Sequence, residues 1–217
     1  MAESLGQLKC QALIFFHAFT GSDTTSAFKG IGKKKAYEAL QVCSSAIDTF
    51  ANFHLNPLQE LSEEDPKFEV IQSFTVVMYS KTSTISTVNE ARLKLYFERS
   101  QDIETIPPTS NSLLLHAKRT IFQSAVWSQC LQANQNLPSP QNFGWVATSD
   151  PIVKWQPLWM TQKEASKECR EFIKCTCKAE VCSRCKCKVA SLKCTLLCTC
   201  KCEDKVSFDT SSNEETQ

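Results

Sequence analysis

Nine of the chain's thirteen cysteines lie between Cys175 and Cys202, in the stretch CTCKAEVCSRCKCKVASLKCTLLCTCKC. They are Cys175, Cys177, Cys182, Cys185, Cys187, Cys194, Cys198, Cys200 and Cys202, spaced C-x-C-x4-C-x2-C-x-C-x6-C-x3-C-x-C-x-C. Three chemistries compete for such a block. Disulfides would leave one thiol over, and the C-x-C pairs crowd sulfurs that would have to bridge elsewhere. Two separate four-cysteine zinc sites would favour paired C-x2-C knuckles, and only Cys182 and Cys185 have that gap. A polynuclear cluster fits better. Three tetrahedral zinc ions need twelve metal–sulfur bonds, and nine thiolates supply them when three of the nine bridge. Nine thiolates around three divalent ions leave a net negative charge. From Lys174 to Lys201 seven basic residues face the single acid Glu180, which offsets that charge and favours thiolate over thiol.

The spacing resembles the CXC domain of the tesmin family. That resemblance implies three zinc ions held by nine cysteines in a nuclear DNA-binding module. Pre-SET domains carry a similar cluster, but no SET-like segment follows here. The family's tyrosine before its fourth cysteine, which enters the minor groove, is replaced by Arg184. Metal binding therefore carries over and base reading does not. Arg184, Lys186 and Lys188 remain candidate phosphate contacts without sequence preference.

A second informative stretch is FTGSDTTSAFKGIGKKKAYEAL, residues 19–40. Its G-I-G-K-K-K-A core reads as a helix-hairpin-helix spanning about 19–42. Gly30 and Gly32 would permit a tight turn and Ile31 would point into the core. The next helix would begin near Lys33, with its free amides and Lys33, Lys34 and Lys35 facing a phosphate. The preceding TGSD resembles the flap-endonuclease family of structure-specific nucleases. By that resemblance, Asp23 is a metal-site carboxylate that would hold magnesium or manganese, and the Gly30–Gly32 hairpin holds duplex backbone. Two-metal hydrolysis needs several converging carboxylates. Only Glu3 precedes the motif, so Asp23 also reads as a helix N-cap accepting from Thr25 or Ser26.

The remainder fits a mostly α protein. CQALIFFHAF, residues 10–19, reads as a buried helix or strand, because Gln11 and His17 interrupt what a signal peptide would keep apolar. With no leader or membrane span, a reducing intracellular compartment follows, and the family resemblance points to the nucleus. Residues 44–135 read as helical. Expected core stripes are Phe68, Ile71, Phe74, Val77 and Met78, then Val88, Ala91, Leu95 and Tyr96, then Leu114, Ala117, Ile121, Phe122, Ala125 and Cys130. Cys10 and Cys43 read as buried thiols, and Lys118 and Arg119 as a solvated face. The organisation is thus a helical domain over 1–135, a Pro/Trp-containing connector over 136–163 with Trp155 and Trp159 sheltered against the helices, an irregular zinc-cluster module over 164–203, and an acidic disordered tail over 204–217. A TG-C/S-D-TTS-F-G-GKK segment, a W-P-L-W stretch and a terminal cysteine block together resemble mobile-element-derived animal proteins.

These features imply a zinc-containing nucleic-acid-binding protein, with DNA as the expected partner, or a remnant of a nuclease-like protein. Two alternatives stand beside it. One is a flap-endonuclease-like enzyme whose other carboxylates lie outside this chain. The other is a protein-interaction module in which zinc is structural.

Overall fold

A computed structural model describes residues 5–57, 59–98, 105–149, 153–160, 175–178, 185–189, 194 and 198–201. The chain divides into two compact units, Met1–Gln162 and Lys163–Gln217. Among the described residues the first is mostly helical. In order it contains α1 (Gln7–Phe19), α2 (Lys33–Val42), α3 (Ser44–Leu55), α4 (Pro66–Tyr79), α5 (Val88–Glu98) and α6 (Ser110–Ser128). A 3-10 turn, Pro140–Phe143, leads into an antiparallel hairpin of β1 (Trp145–Ser149) and β2 (Val153–Pro157). No described helix is long and apolar enough to cross a membrane.

Aromatic packing centres the helical unit. α1 has no glycine or proline, and it buries Ala12, Phe15, Phe16, Ala18 and Phe19 on the faces it turns to α3 and α6. Phe15 lies 4.6 Å from Phe50 and 4.9 Å from Phe53, ring centre to ring centre. Phe74 of α4 meets Phe50 edge-on at 5.2 Å and Phe19 at 6.0 Å. Two helix starts follow ordinary capping chemistry. Asp65 accepts from the Lys67 amide at 2.8 Å with Pro66 in the first turn, and Thr109 accepts from Ser112 at 3.3 Å.

The expected stripes are largely present, with local shifts. Val88, Ala91, Leu95 and Tyr96 are all buried. In α4 the buried valine is Val76 rather than Val77, and in α6 the buried leucine is Leu113 rather than Leu114. Cys10 and Cys43 are half-buried, but Cys130 is exposed because α6 ends two residues before it, at Ser128. The segment expected as a connector contains the hairpin. Arg119 donates to the carbonyls of Gly144 (3.3 Å) and Leu158 (3.2 Å), which tie the hairpin's two ends to α6, so Arg119 does not lie on a solvated face. Trp155 and Trp159 are 40% and 75% exposed, not sheltered.

Residues 20–32 form an irregular connection held at the carboxyl end of α1. Gly21 has φ +103, and a Cβ there would lie 2.6 Å from that of Ala27, so no other residue fits. Thr20 Oγ1 donates to Phe16 O at 2.8 Å and Thr25 Oγ1 to Ala18 O at 2.6 Å. His116 of α6 completes the clamp. Its Nε2 donates to Phe19 O at 2.8 Å, which leaves Nδ1 to accept the Ser26 hydroxyl at 3.0 Å.

Burial holds the His116 imidazole down at about 4, against its ordinary 6.5. The unfolded chain takes up this proton near 6.5 and the folded one only near 4. Stability supplied by neutral His116 is therefore complete above pH 6.5 and lost as pH falls towards 4, by about 3 kcal/mol. Urea unfolding at pH 7 and pH 4.5 is expected to show this loss, and His116→Gln to flatten it.

Candidate metal centre

In the second unit the described residues gather around sulfur. A helical turn, Lys186–Val189, follows Cys185 and carries Cys187. The residue-175 and residue-200 strands of the chain are tied together by Thr199, whose amide donates to Cys175 O at 3.1 Å. Its hydroxyl reaches Cys175 O and Cys177 O, each at 3.2 Å. The Cys175 amide in turn points at Cys198 Sγ, 3.4 Å away, the kind of N–H···S contact that orients a thiolate ligand. Cys175, Cys185, Cys187, Cys194, Cys198 and Cys200 are all buried, while Lys178, Lys188 and Lys201 are exposed.

Two groups of four sulfurs meet the distance requirement for a shared ion. Cys175, Cys185, Cys187 and Cys194 form one; Cys175, Cys194, Cys198 and Cys200 form the other. Within each, all Sγ atoms lie within 4.8 Å of one another. Individual separations are 3.9 Å for Cys175–Cys194 and 3.8 Å for Cys185–Cys194, and Cys187 of the first group lies 3.6 Å from Cys198 of the second. A disulfide would need about 2.05 Å. A tetrahedron of sulfurs, each about 2.3 Å from zinc, has edges of about 3.8 Å. None of the described cysteines is joined in a disulfide, and the spacing within the two groups is one that could hold a cation.

Cys175 and Cys194 belong to both groups. A thiolate at either position would touch two ions, as a polynuclear cluster requires. Cys177 belongs to neither group, although its Sγ is 3.4 Å from that of Cys175. Cys182 and Cys202 lie outside the described residues, as does Arg184, and Lys186 is described only in its backbone. Burial and neighbouring thiols push Cys175 far up, and burial together with Cys198 pushes Cys187 up to about 11. At Cys175 and Cys187 this favours the thiol over the thiolate as long as no cation is bound. A divalent cation displaces those protons and supplies the missing charge, so metal uptake should release protons.

The amino-terminal motif is arranged differently from the expectation. Gly30 has φ +72, but Gly32 has φ −78 and ψ 164, a conformation open to any residue. Ile31 and Ala36 are buried as the motif predicts. α2 begins at Lys33 with no side-chain cap on its first amides. The residues before Gly30 are not helical, so the turn does not join two abutting helices. Lys33 faces backwards: its Nζ donates to Gly21 O (2.7 Å), His17 O (2.9 Å) and Thr20 Oγ1 (3.1 Å), capping α1. Lys34 is exposed and Lys35 half-buried, so of the three lysines Lys34 is the freest to meet a ligand.

Asp23 is exposed in a bend and caps no helix; the turn there is held by Ser22 Oγ, which bonds Thr25 Oγ1 at 2.8 Å and accepts from the Thr24 amide at 3.4 Å. Among the described residues, the groups of three or more His, Cys, Asp or Glu able to hold one ion are both in the cysteine block, and Asp23 is in neither. The hydrogen bonds of Lys33 and His116 are the features sequence reasoning missed. A basic residue some dozen positions beyond a helix end carries no local signal of capping it.

Compared with known proteins, the chain matches no family model, no curated protein and no solved structure.

Proposed function

We propose that this chain is a nucleic-acid-binding protein, with DNA as its partner, whose carboxy-terminal module is folded around a zinc–thiolate cluster. Two buried cysteine tetrads sharing Cys175 and Cys194, with exposed lysines beside them, carry this reading. Zinc is the ion of choice because an all-thiolate tetrahedral set suits it. All nine cysteines holding three ions is the fullest form of the proposal, with Cys177, Cys182 and Cys202 completing the set.

Two basic surfaces would meet phosphate. One is the exposed Lys188 beside the cysteines, to which the sequence adds Arg184 and Lys186. The other is the start of α2, where amides without a side-chain cap stand beside Lys34 and Lys35. Such contacts read charge and not bases. A nuclear, mobile-element-derived origin agrees with the sequence resemblances. Catalysis by Asp23 with magnesium or manganese would need carboxylates supplied from elsewhere.

The test is retention of duplex DNA by the zinc-loaded protein across a salt series. Affinity should fall steeply between 50 and 200 mM salt, by about tenfold or more for a few phosphate contacts. Lys34→Glu with Lys35→Glu should weaken it and flatten the salt slope. Lys33 is left out of that pair because its loss would also uncap α1. No salt-sensitive binding to any DNA would end the proposal, and unchanged binding in the double variant would remove α2 from it.

A further inference from the structure

The hairpin places aromatic surface in water. Trp155 is 40% exposed, and Trp159, just beyond β2, is 75% exposed. Across the ladder, Trp155 pairs with Ala147, so the opposite strand offers its indole only a methyl group. Leu158 and Val146 are exposed as well, at 43% and 42%. The mount is firm: Leu158 N donates to Gly144 O at 2.9 Å, and Arg119 holds the Gly144 and Leu158 carbonyls from α6. Indoles kept bare on a rigid two-stranded support are poised for a planar partner.

Charge selects among planar partners. Among the described residues 145–149 and 153–160 there is no carboxylate, and Lys154, adjacent to Trp155, is exposed. Arg119 adds a second positive charge at the hairpin's root. Among the described residues, an aromatic surface with basic neighbours matches a chain of stacked bases joined by phosphates; Asp150, between the two strands in sequence, lies outside them. A duplex hides its base faces, whereas a single strand offers them.

We propose that the hairpin is a stacking platform for the unpaired bases of a single-stranded nucleic acid, with Trp155 and Trp159 as the stacking side chains and Lys154 beside the backbone. This rests on the nucleic-acid reading above and names the form of nucleic acid taken. Because every base has a π-face, the platform would be indifferent to sequence.

The full, zinc-loaded chain is titrated with oligodeoxythymidine and, separately, with a duplex of equal length, following tryptophan fluorescence and anisotropy. The single strand should quench the indoles. Trp155→Ala and Trp159→Ala should each weaken its binding about 5- to 100-fold, with duplex affinity unchanged and Trp155→Phe retaining most of the affinity. Both side chains are exposed, so the variants should fold. Duplex binding with single-strand affinity unmoved by either variant would overturn the platform alone. Absence of binding to either nucleic acid would remove both it and the broader reading. Quenching by a proline-rich peptide instead, or a dimer that the variants dissolve, would give the surface to a different occupant and overturn the proposal.

Discussion

Serine at Cys175 or at Cys194 is expected to cost the protein two metal ions, whereas serine at Cys185 or Cys200 costs one. The difference follows from the geometry. Cys185 lies in one sulfur tetrad and Cys200 in the other, but Cys175 and Cys194 lie in both. A structural zinc contributes on the order of 10 kcal/mol or more to folding in small domains that depend on it. The second unit is small, and among its described residues the buried cluster consists of cysteines, so metal held by them would be what ties those residues together. Losing a shared ligand should therefore unfold it, while losing an unshared one should leave a weakened remainder. Native mass spectrometry counts the ions directly. Equal losses from all four variants would mean that the tetrads do not share ligands.

Phe74→Ala is the substitution expected to damage the helical unit most. Phe74 is fully buried and touches both Phe19 of α1 and Phe50 of α3, so its ring joins three helices. Removing a buried phenylalanine costs about 3–5 kcal/mol, through lost burial and the cavity left behind. Against a total stability of about 5–15 kcal/mol, that is a large share. Thermal unfolding followed by helical circular dichroism should drop by about 10 °C. The bound metal should stay, since the cysteines belong to the other compact unit. A drop of only a few degrees would mean that the aromatic cluster can collapse to fill the gap.

The helices were legible because burial imposes a period. Val88, Ala91, Leu95 and Tyr96 follow that period, and all four are buried. Single-residue misassignments arose where two apolar neighbours compete, as at Val76 and Val77 or Leu113 and Leu114. Spacing alone does not say which way such a helix is rolled, because the packing partners decide it. The hairpin was illegible for a different reason. WVATS and VKWQP have little apolar alternation, and what fixes them is Arg119, far away in sequence. The same is true of His116, which read as one scattered histidine and is the clamp between α6 and the α1–α2 connection.

In the candidate site, residue type carried more than position. Four sulfurs near one point were foreseeable from nine cysteines in so short a stretch, whereas the sharing of Cys175 and Cys194 depends on how the segment folds back through Thr199. At the other end, a lysine run beside two glycines suggested three equivalent phosphate ligands. The structure separates them, because the acceptors for Lys33 are carbonyls at the carboxyl end of α1, His17 O, and just beyond it, Gly21 O. A helix's carboxyl end attracts a cation as readily as an anionic ligand does.

Whether sulfur holds metal in the carboxy-terminal unit is decided by zinc-edge X-ray absorption on protein purified under reducing conditions. More than one zinc per chain is expected, each surrounded by about four sulfurs at about 2.3 Å. Zinc bound through nitrogen or oxygen, or a chain that retains no zinc and keeps its fold, would contradict this.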